Sequence, residues 1–312
     1  VAAPFGLMLT GGGDETIAEM DGNGTTDLSS GSVLSLTSGT SDIAGVISGA
    51  GGLTVTGTSI TNLTAANTYT GETVVNGDGA LNLNGVGAIA SAVVTISGNG
   101  ALTTDGDGIA DTAAVSVAGA NGILRVNGAE TIGSLTQSGG FVNGTSTLTT
   151  TSFDQTGGTT SGTVTVSTGT FTQNGGTIGT GTTVTQSGGA TMSGGTVAGL
   201  LTGAGTVTVQ TGTTTVTGTI ASTNVTVASG ELSLDSGEGL TTATDLTVNG
   251  GLVDVNIDEA IATLNGSGGT VDVDAANTLT LGEATLDTAT YAGNVSGAGD
   301  LMMHCAPGNP WV

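Results

Sequence analysis

Residues 171–179 read FTQNGGTIG, and three relatives lie close by: LTQSGGFVN from Leu135, FDQTGGTTS from Phe153 and VTQSGGATM from Val184. The word Gln-x-Gly-Gly therefore occurs four times. Gln137, Gln155 and Gln173 stand 18 residues apart, and Gln186 follows after 13. Self-similarity at a period of about 20 residues marks a repeat architecture.

A second word carries the period over more of the chain. Its form is strand, Gly turn, strand: VVNGDGALNL from Val74, VTISGNGALTT from Val94, VSVAGANGILRV from Val115, VTVASGELSL from Val225 and LTVNGGLVDV from Leu246. Val75, Ile96 and Val117 are 21 apart, as are Val227 and Val248. Alternate residues are aliphatic, with Thr, Ser or Asn between them, which is strand alternation with one face buried. One such unit cannot bury its face alone, but stacked copies form a continuous core. The expected fold is all-β: a single-stranded parallel β-helix, or β-solenoid, of roughly 15–17 coils and ~70–80 Å at the usual strand spacing. The Gly-Gly supplies a corner with positive φ. The preceding Gln is placed to stack on the Gln of the next coil, a scaffolding role like that of amide ladders in stacked strands.

Composition agrees. Gly is 59 of 312 residues, but Pro is only 3, and the hydrophobic fraction of 36% is enough to build a core, so order is expected rather than disorder. Gly interrupts nearly every window that a helix would need, at about 1 kcal/mol each. No apolar run approaches the ~20 residues of a membrane helix. The net charge is −24, with Arg125 the one base. That balance excludes nucleic acid as a partner and, equally, insertion into or adhesion to an anionic membrane; it invites a cation. Cys305 has no second cysteine to pair with. Acids number 12 in residues 1–130, one (Asp154) in 131–230 and 12 in 231–312. The expected layout is a cap or assembly segment at 1–30, a continuous solenoid over 31–300 (acidic 31–130, neutral 131–230, acidic 231–300) and a tail at 301–312.

Residues 47–85 contain Gly-x-Gly-x-Leu, then Asn-Thr-Tyr-x-Gly-x-Thr from Asn67, then Val-x-x-Gly-x-Gly-x-Leu from Val74. This stretch resembles the passenger-associated repeat of bacterial autotransporters. A weaker echo runs from Ala275, and YAGNVSGAGDL from Tyr291 is similar to the start of another copy. The resemblance implies a right-handed β-helix that is exported and displayed at the cell surface.

Two stretches have the spacing of a calcium loop: EMDGNGTTD, with Glu19, Asp21, Asn23 and Asp27, and TTDGDGIAD, with Asp105, Asp107 and Asp111. Alternating oxygen side chains, a Gly for the sharp bend and a further acid are how such a loop wraps Ca²⁺. The same residues also make an ordinary Asp-Gly turn at a solenoid corner. Asp272 and Asp274 share one strand face, as do Asp254, Asn256 and Asp258. Paired carboxylates suit a glycosidase, but they equally form a solvated acidic face or a cation ladder. Zinc is excluded within one chain by ligand count, since His304 and Cys305 have no companions.

The expected function is structural and non-enzymatic: an extracellular or cell-surface subunit that assembles with itself, head to tail or laterally, into a layer, fibre or matrix stabilised by Ca²⁺. The alternative is an adhesin that binds a surface glycan. TGTTTVTGT from Thr211 raises ice binding, but periods of 13, 18 and 21 are expected to spoil the constant register that an ice-binding array needs.

Overall fold

The computed structural model describes residues 7–9, 13–282 and 290–303. His304, Cys305 and Phe5 lie outside the described residues. Contacts divide the chain into two compact units, Val1–Ser167 and Thr168–Val312. Each is a β-solenoid of short parallel strands, and the chain makes about 15 turns. Among the described residues the only helical element is one 3₁₀ turn, Ser29–Gly31.

The alternation read from the sequence is what builds the first unit. In the strand Val93–Ile96, Val94 and Ile96 are buried and Thr95 looks outward. This strand lies parallel between Thr73–Val75 and Ala114–Val117. Repeated from coil to coil, the pairing stacks Leu36, Val55, Val75, Ile96 and Val117 into one fully buried column. Each of these side chains contributes about 1.5–3 kcal/mol by leaving water. In the second unit the same logic stacks Val207, Val225, Leu246 and Leu264. Strands Glu15–Ile17 and Thr26–Leu28 are already paired in parallel with Leu34–Leu36 and Ile47–Ser48, so the described part of residues 1–30 belongs to the stack.

The Gln-x-Gly-Gly word works as a corner. Its second glycine has positive φ in all four copies: Gly140 57°, Gly158 71°, Gly176 76° and Gly189 123°. The glutamines point inward and are buried, continuing the aliphatic column from Val117 to Gln137 and Gln155. Gln155 Nε2 donates to Gln137 Oε1 at 3.0 Å, which is the expected ladder. Three of the amides also secure their own turn: Gln137 and Gln173 donate to the carbonyls of Gly140 and Gly176, and Gln186 Oε1 accepts from the Gly189 N–H.

The residues behind the family resemblance are core parts. Asn67 accepts from the Ile47 N–H at 2.8 Å and donates to the Ala65 and Ala88 carbonyls at 2.9 Å. The hydroxyls of Tyr69, Thr73 and Ser91 form a buried chain that ends on the Gly71 carbonyl. Burial raises the Tyr69 phenol well above its ordinary pKa.

One expectation is corrected. Unequal periods do not spoil the register, because the corners absorb the extra residues. Thr191, Thr208, Thr226 and Thr247 stand directly one above another despite unequal spacing in the chain. The neighbouring outward column carries Asn224, Asp245 and Thr263, so these hydroxyls form a single row rather than a two-dimensional array.

Candidate functional site

The loop at 105–111 is the turn between strands Ala101–Thr104 and Ala114–Val117. Asp105, Asp107 and Asp111 are exposed. Their carboxylates do not come within 4.8 Å of one another as a trio. Asp105 instead accepts from the Asn127 side chain of the next coil at 3.2 Å. The groups that converge here are donors. The N–H groups of Gly108 and Ile109 and the Thr104 hydroxyl all point at the Glu130 carboxylate, at 3.0, 3.1 and 2.6 Å. Converging N–H groups favour an anion, and a side chain of this chain supplies it.

At the first loop, Glu19 and Asn23 are exposed and Asp27 is half-buried. Asp21 Oδ1 accepts from the Asp42 N–H at 2.7 Å. Asp21 also lies on the wall of a cavity of about 320 Å³ whose other lining residues include Leu7, Ile17, Met20 and Ile43. Glu19, Asp21 and Asp27 do not meet as a trio either.

Glu130 has a counterpart in the second unit. Glu259 is 4% exposed and Glu130 is 2% exposed. Each sits in an inward position where the next coil places leucine: Glu130 pairs with Leu148 and Glu259 with Leu279. Glu259 accepts from the N–H of Leu240 and of Ala260, both at 3.0 Å. Gly239, at φ +62°, lies against its carboxylate so closely that any Cβ would collide with it. Burial pushes both carboxyls up to about 7, with the neighbouring charges of Asp107 and Glu238 adding to the rise. Both residues begin the same word, Glu-x-Ile-x-x-Leu, at 130–135 and 259–264. An acid on the inward beat of an aliphatic alternation was the signal that the sequence carried for them.

Among the described residues, one acidic trio does converge. Asp254, Asp272 and Asp274 bring carboxylate oxygens within 4.8 Å of one another. Asp254 and Asp272 are paired across adjacent coils. Asn256 donates to Asp254 at 3.0 Å and to Asp235 at 2.9 Å, and Ser296 donates to Asp272 at 2.6 Å. Hard oxygen ligands on neighbouring strands suit Ca²⁺ or Mg²⁺.

The first unit also shows two outward columns side by side. One runs Ile60, Ala80, Ala101, Ile123, Phe141 and the other Asp42, Asn62, Asn82, Thr103, Arg125, Asn143. The polar column is partly bonded to itself: Asn62 donates to Asp42 at 2.7 Å, Asn82 to Asn62 at 2.9 Å and Arg125 Nε to Asn143 at 3.4 Å.

Compared with protein-family models, with curated proteins and with solved structures, the chain gives no match in any of the three. What the geometry defines is therefore the class: a parallel β-solenoid repeat protein.

Proposed function

We propose that the chain is a structural subunit, exported and surface-displayed in the manner of autotransporter passengers, that assembles with copies of itself into a layer, fibre or matrix. The observation that carries this reading is the repetition of one parallel register within each unit: Leu36, Val55, Val75, Ile96 and Val117 stack in the first, and Val207, Val225, Leu246 and Leu264 in the second. Coils that repeat one register are a template on which a second copy continues the same pairing.

Calcium has a place in this reading. Asp254, Asp272 and Asp274 crowd together in the second unit. Like charges this close repel within a Debye length of about 8–10 Å. A divalent cation on Asp254, Asp272 and Asp274 would lower that repulsion. Light scattering and negative-stain microscopy test the proposal. Millimolar Ca²⁺ should enlarge the particles and a chelator should reverse the change. A monodisperse monomer at millimolar Ca²⁺ refutes it.

A second reading, an adhesin for a surface glycan, is favoured by the paired columns of the first unit. Amides and hydroxyls at each coil suit sugar hydroxyls. The adjoining Ile60–Phe141 stripe suits the apolar face of a sugar ring, and Phe141 is outward where Phe153 and Phe171 are buried. Five coils by two columns cover only about 250 Å² at the usual strand spacing. A stable protein partner needs ~800 Å², so a single extended chain is the better fit. Retention on a panel of neutral and uronate polysaccharides, lost in Phe141→Ala and Arg125→Ala, would support it; no retention on any member would refute it.

A further inference from the structure

Arg125 is the one Lys or Arg in a chain with 25 acids, yet among the described residues it makes no ion pair. It lies outward and exposed on its strand, paired with Thr103 of the preceding coil. Asp105 stands two residues beyond Thr103, within diagonal reach. Its carboxylate instead accepts from the Asn127 side chain at 3.2 Å. Arg125 Nε donates to Asn143 Oδ1 of the next coil at 3.4 Å. Both terminal nitrogens of the guanidinium are left without a partner among the described residues. Such a free fork matches a carboxylate, which it can hold with two parallel hydrogen bonds.

The neighbours of Arg125 define the rest of the ligand. Ile123 shares its strand, and Phe141 of the next coil is paired with Ile123. The apolar stripe to which they belong is closed by threonine at both ends, Thr40 beside Ile60 and Thr159 beside Phe141. Down the polar column, Thr103, Asn82 and Asn62 offer one hydroxyl or amide per coil. Coils repeat every ~4.8 Å, close to the length of one pyranose ring, whereas an extended peptide advances ~3.4 Å per residue and falls out of step. At the far end of the column stands Asp42, where a second carboxylate would be repelled.

We propose that this strip takes a glycan chain of mixed charge: a uronate carboxylate on the Arg125 guanidinium, its ring against Phe141 and Ile123, and uncharged rings over Thr103, Asn82 and Asn62. The proposal deepens the glycan reading above and rests on it. Distant acids are screened beyond about 8 Å at physiological ionic strength, so the net charge of −24 does not by itself bar an anion. The acids on the strip itself decide, and they set the pattern. One cation toward one end and Asp42 at the other favour a chain that is acidic at one ring over a chain that is acidic at every ring.

Calorimetry on the full chain, with chelator present to keep Ca²⁺ from bridging carboxylates, tests this. The probes are oligosaccharides of hyaluronate and glucuronoxylan, in which neutral rings separate the uronates, oligogalacturonate, in which every ring is acidic, and the methyl ester of each. At least one mixed-charge acid should bind more tightly than its own ester and than oligogalacturonate, by about fivefold, the upper end for one exposed ion pair. Arg125→Gln, which keeps an amide donor, should bring that acid down to the level of its ester. Phe141→Ala should weaken acid and ester alike. Both side chains face outward, so both variants should keep the far-UV circular dichroism of the native chain. An ester as tight as its acid, tightest binding of oligogalacturonate, or a preference that survives Arg125→Gln overturns the inference and leaves the glycan reading standing. Polyglutamate bound as tightly as the sugars, or no binding by any probe, overturns both.

Discussion

Replacing Asn67 with aspartate changes one atom's chemistry and should unfold the first unit in a pH-dependent way. Asn67 is 4% exposed, and its amide makes three hydrogen bonds whose directions are fixed: the oxygen accepts from Ile47, and the nitrogen donates to Ala65 and Ala88. In Asn67→Asp the first bond survives. The second carboxylate oxygen then faces two carbonyl oxygens at the 2.9 Å separations once held by N–H donors. That arrangement is tolerable only if the acid is protonated, so its folded pKa must rise. A buried carboxyl without a compensating donor rises by about 3 units or more, which at 1.36 kcal/mol per unit is about 4 kcal/mol. The protonated acid still loses one donor, costing about 1 kcal/mol. The sign is that of a raised folded pKa: stability is fully present below the unfolded value of about 3.9 and is lost as pH rises through the folded value. The variant should therefore trail the native chain by about 1 kcal/mol at pH 4 and by about 4–5 kcal/mol at pH 7.5. Asn67→Ala should show a deficit of about 2–4 kcal/mol that does not vary with pH, from the orphaned Ile47 N–H and two lost bonds. The assay is urea unfolding followed by far-UV circular dichroism, taken as a difference from the native chain at each pH. Because solenoids can open segment by segment, exchange of the Ile47 amide accompanies it. An aspartate variant as stable as the native chain at pH 7.5, or a deficit equal at both pH values, would refute the reasoning.

Three further outcomes follow from the same structure. The native melting temperature should fall as pH rises from 5 to 7 and flatten above. The folded pKa values of Glu130 and Glu259 are raised, so their contribution is present below 4.5 and lost through about 7; scanning calorimetry of Glu130→Gln/Glu259→Gln should show a flatter profile. Gly239→Ala should cost about 2–4 kcal/mol, from positive φ and from collision with the Glu259 carboxylate; the double variant with Glu259→Ala should recover the collision part, and an additive result in a double-mutant cycle would count against that contact. Gln155→Leu should destabilise by about 1 kcal/mol, because it removes one of the two donors to Gln137 Oε1, the Thr160 hydroxyl being the other; chemical denaturation reads it, and an unchanged midpoint would mean the ladder contributes nothing.

What could be read in advance depended on whether the information lay in side-chain spacing or in backbone direction. The stack was legible because it is a statement about spacing: Val75, Ile96 and Val117 at equal intervals must fall in one column if the chain coils at all, and they do. The Gly-Gly corner was legible because positive φ selects glycine. The register of Thr191, Thr208, Thr226 and Thr247 was misjudged because unequal spacing was counted along the chain, whereas the column counts coils and lets corners differ in length. The acidic loops show the deeper limit. TTDGDGIAD has the side-chain spacing of a cation loop, yet what its turn gathers is set by where the N–H groups of Gly108 and Ile109 point, and an amide carries no letter in the sequence. The residue those amides meet stands some twenty positions further on, in a different coil. It was visible only as an anomaly, a glutamate where the alternation calls for an aliphatic residue. Inward polar residues such as Gln137, Gln155 and Asn67 satisfy the backbone and one another, whereas an inward acid also brings a charge into the core. Glu130 and Glu259 break the alternation in the same way in both units, with the same word after them and a leucine at the paired position in the next coil.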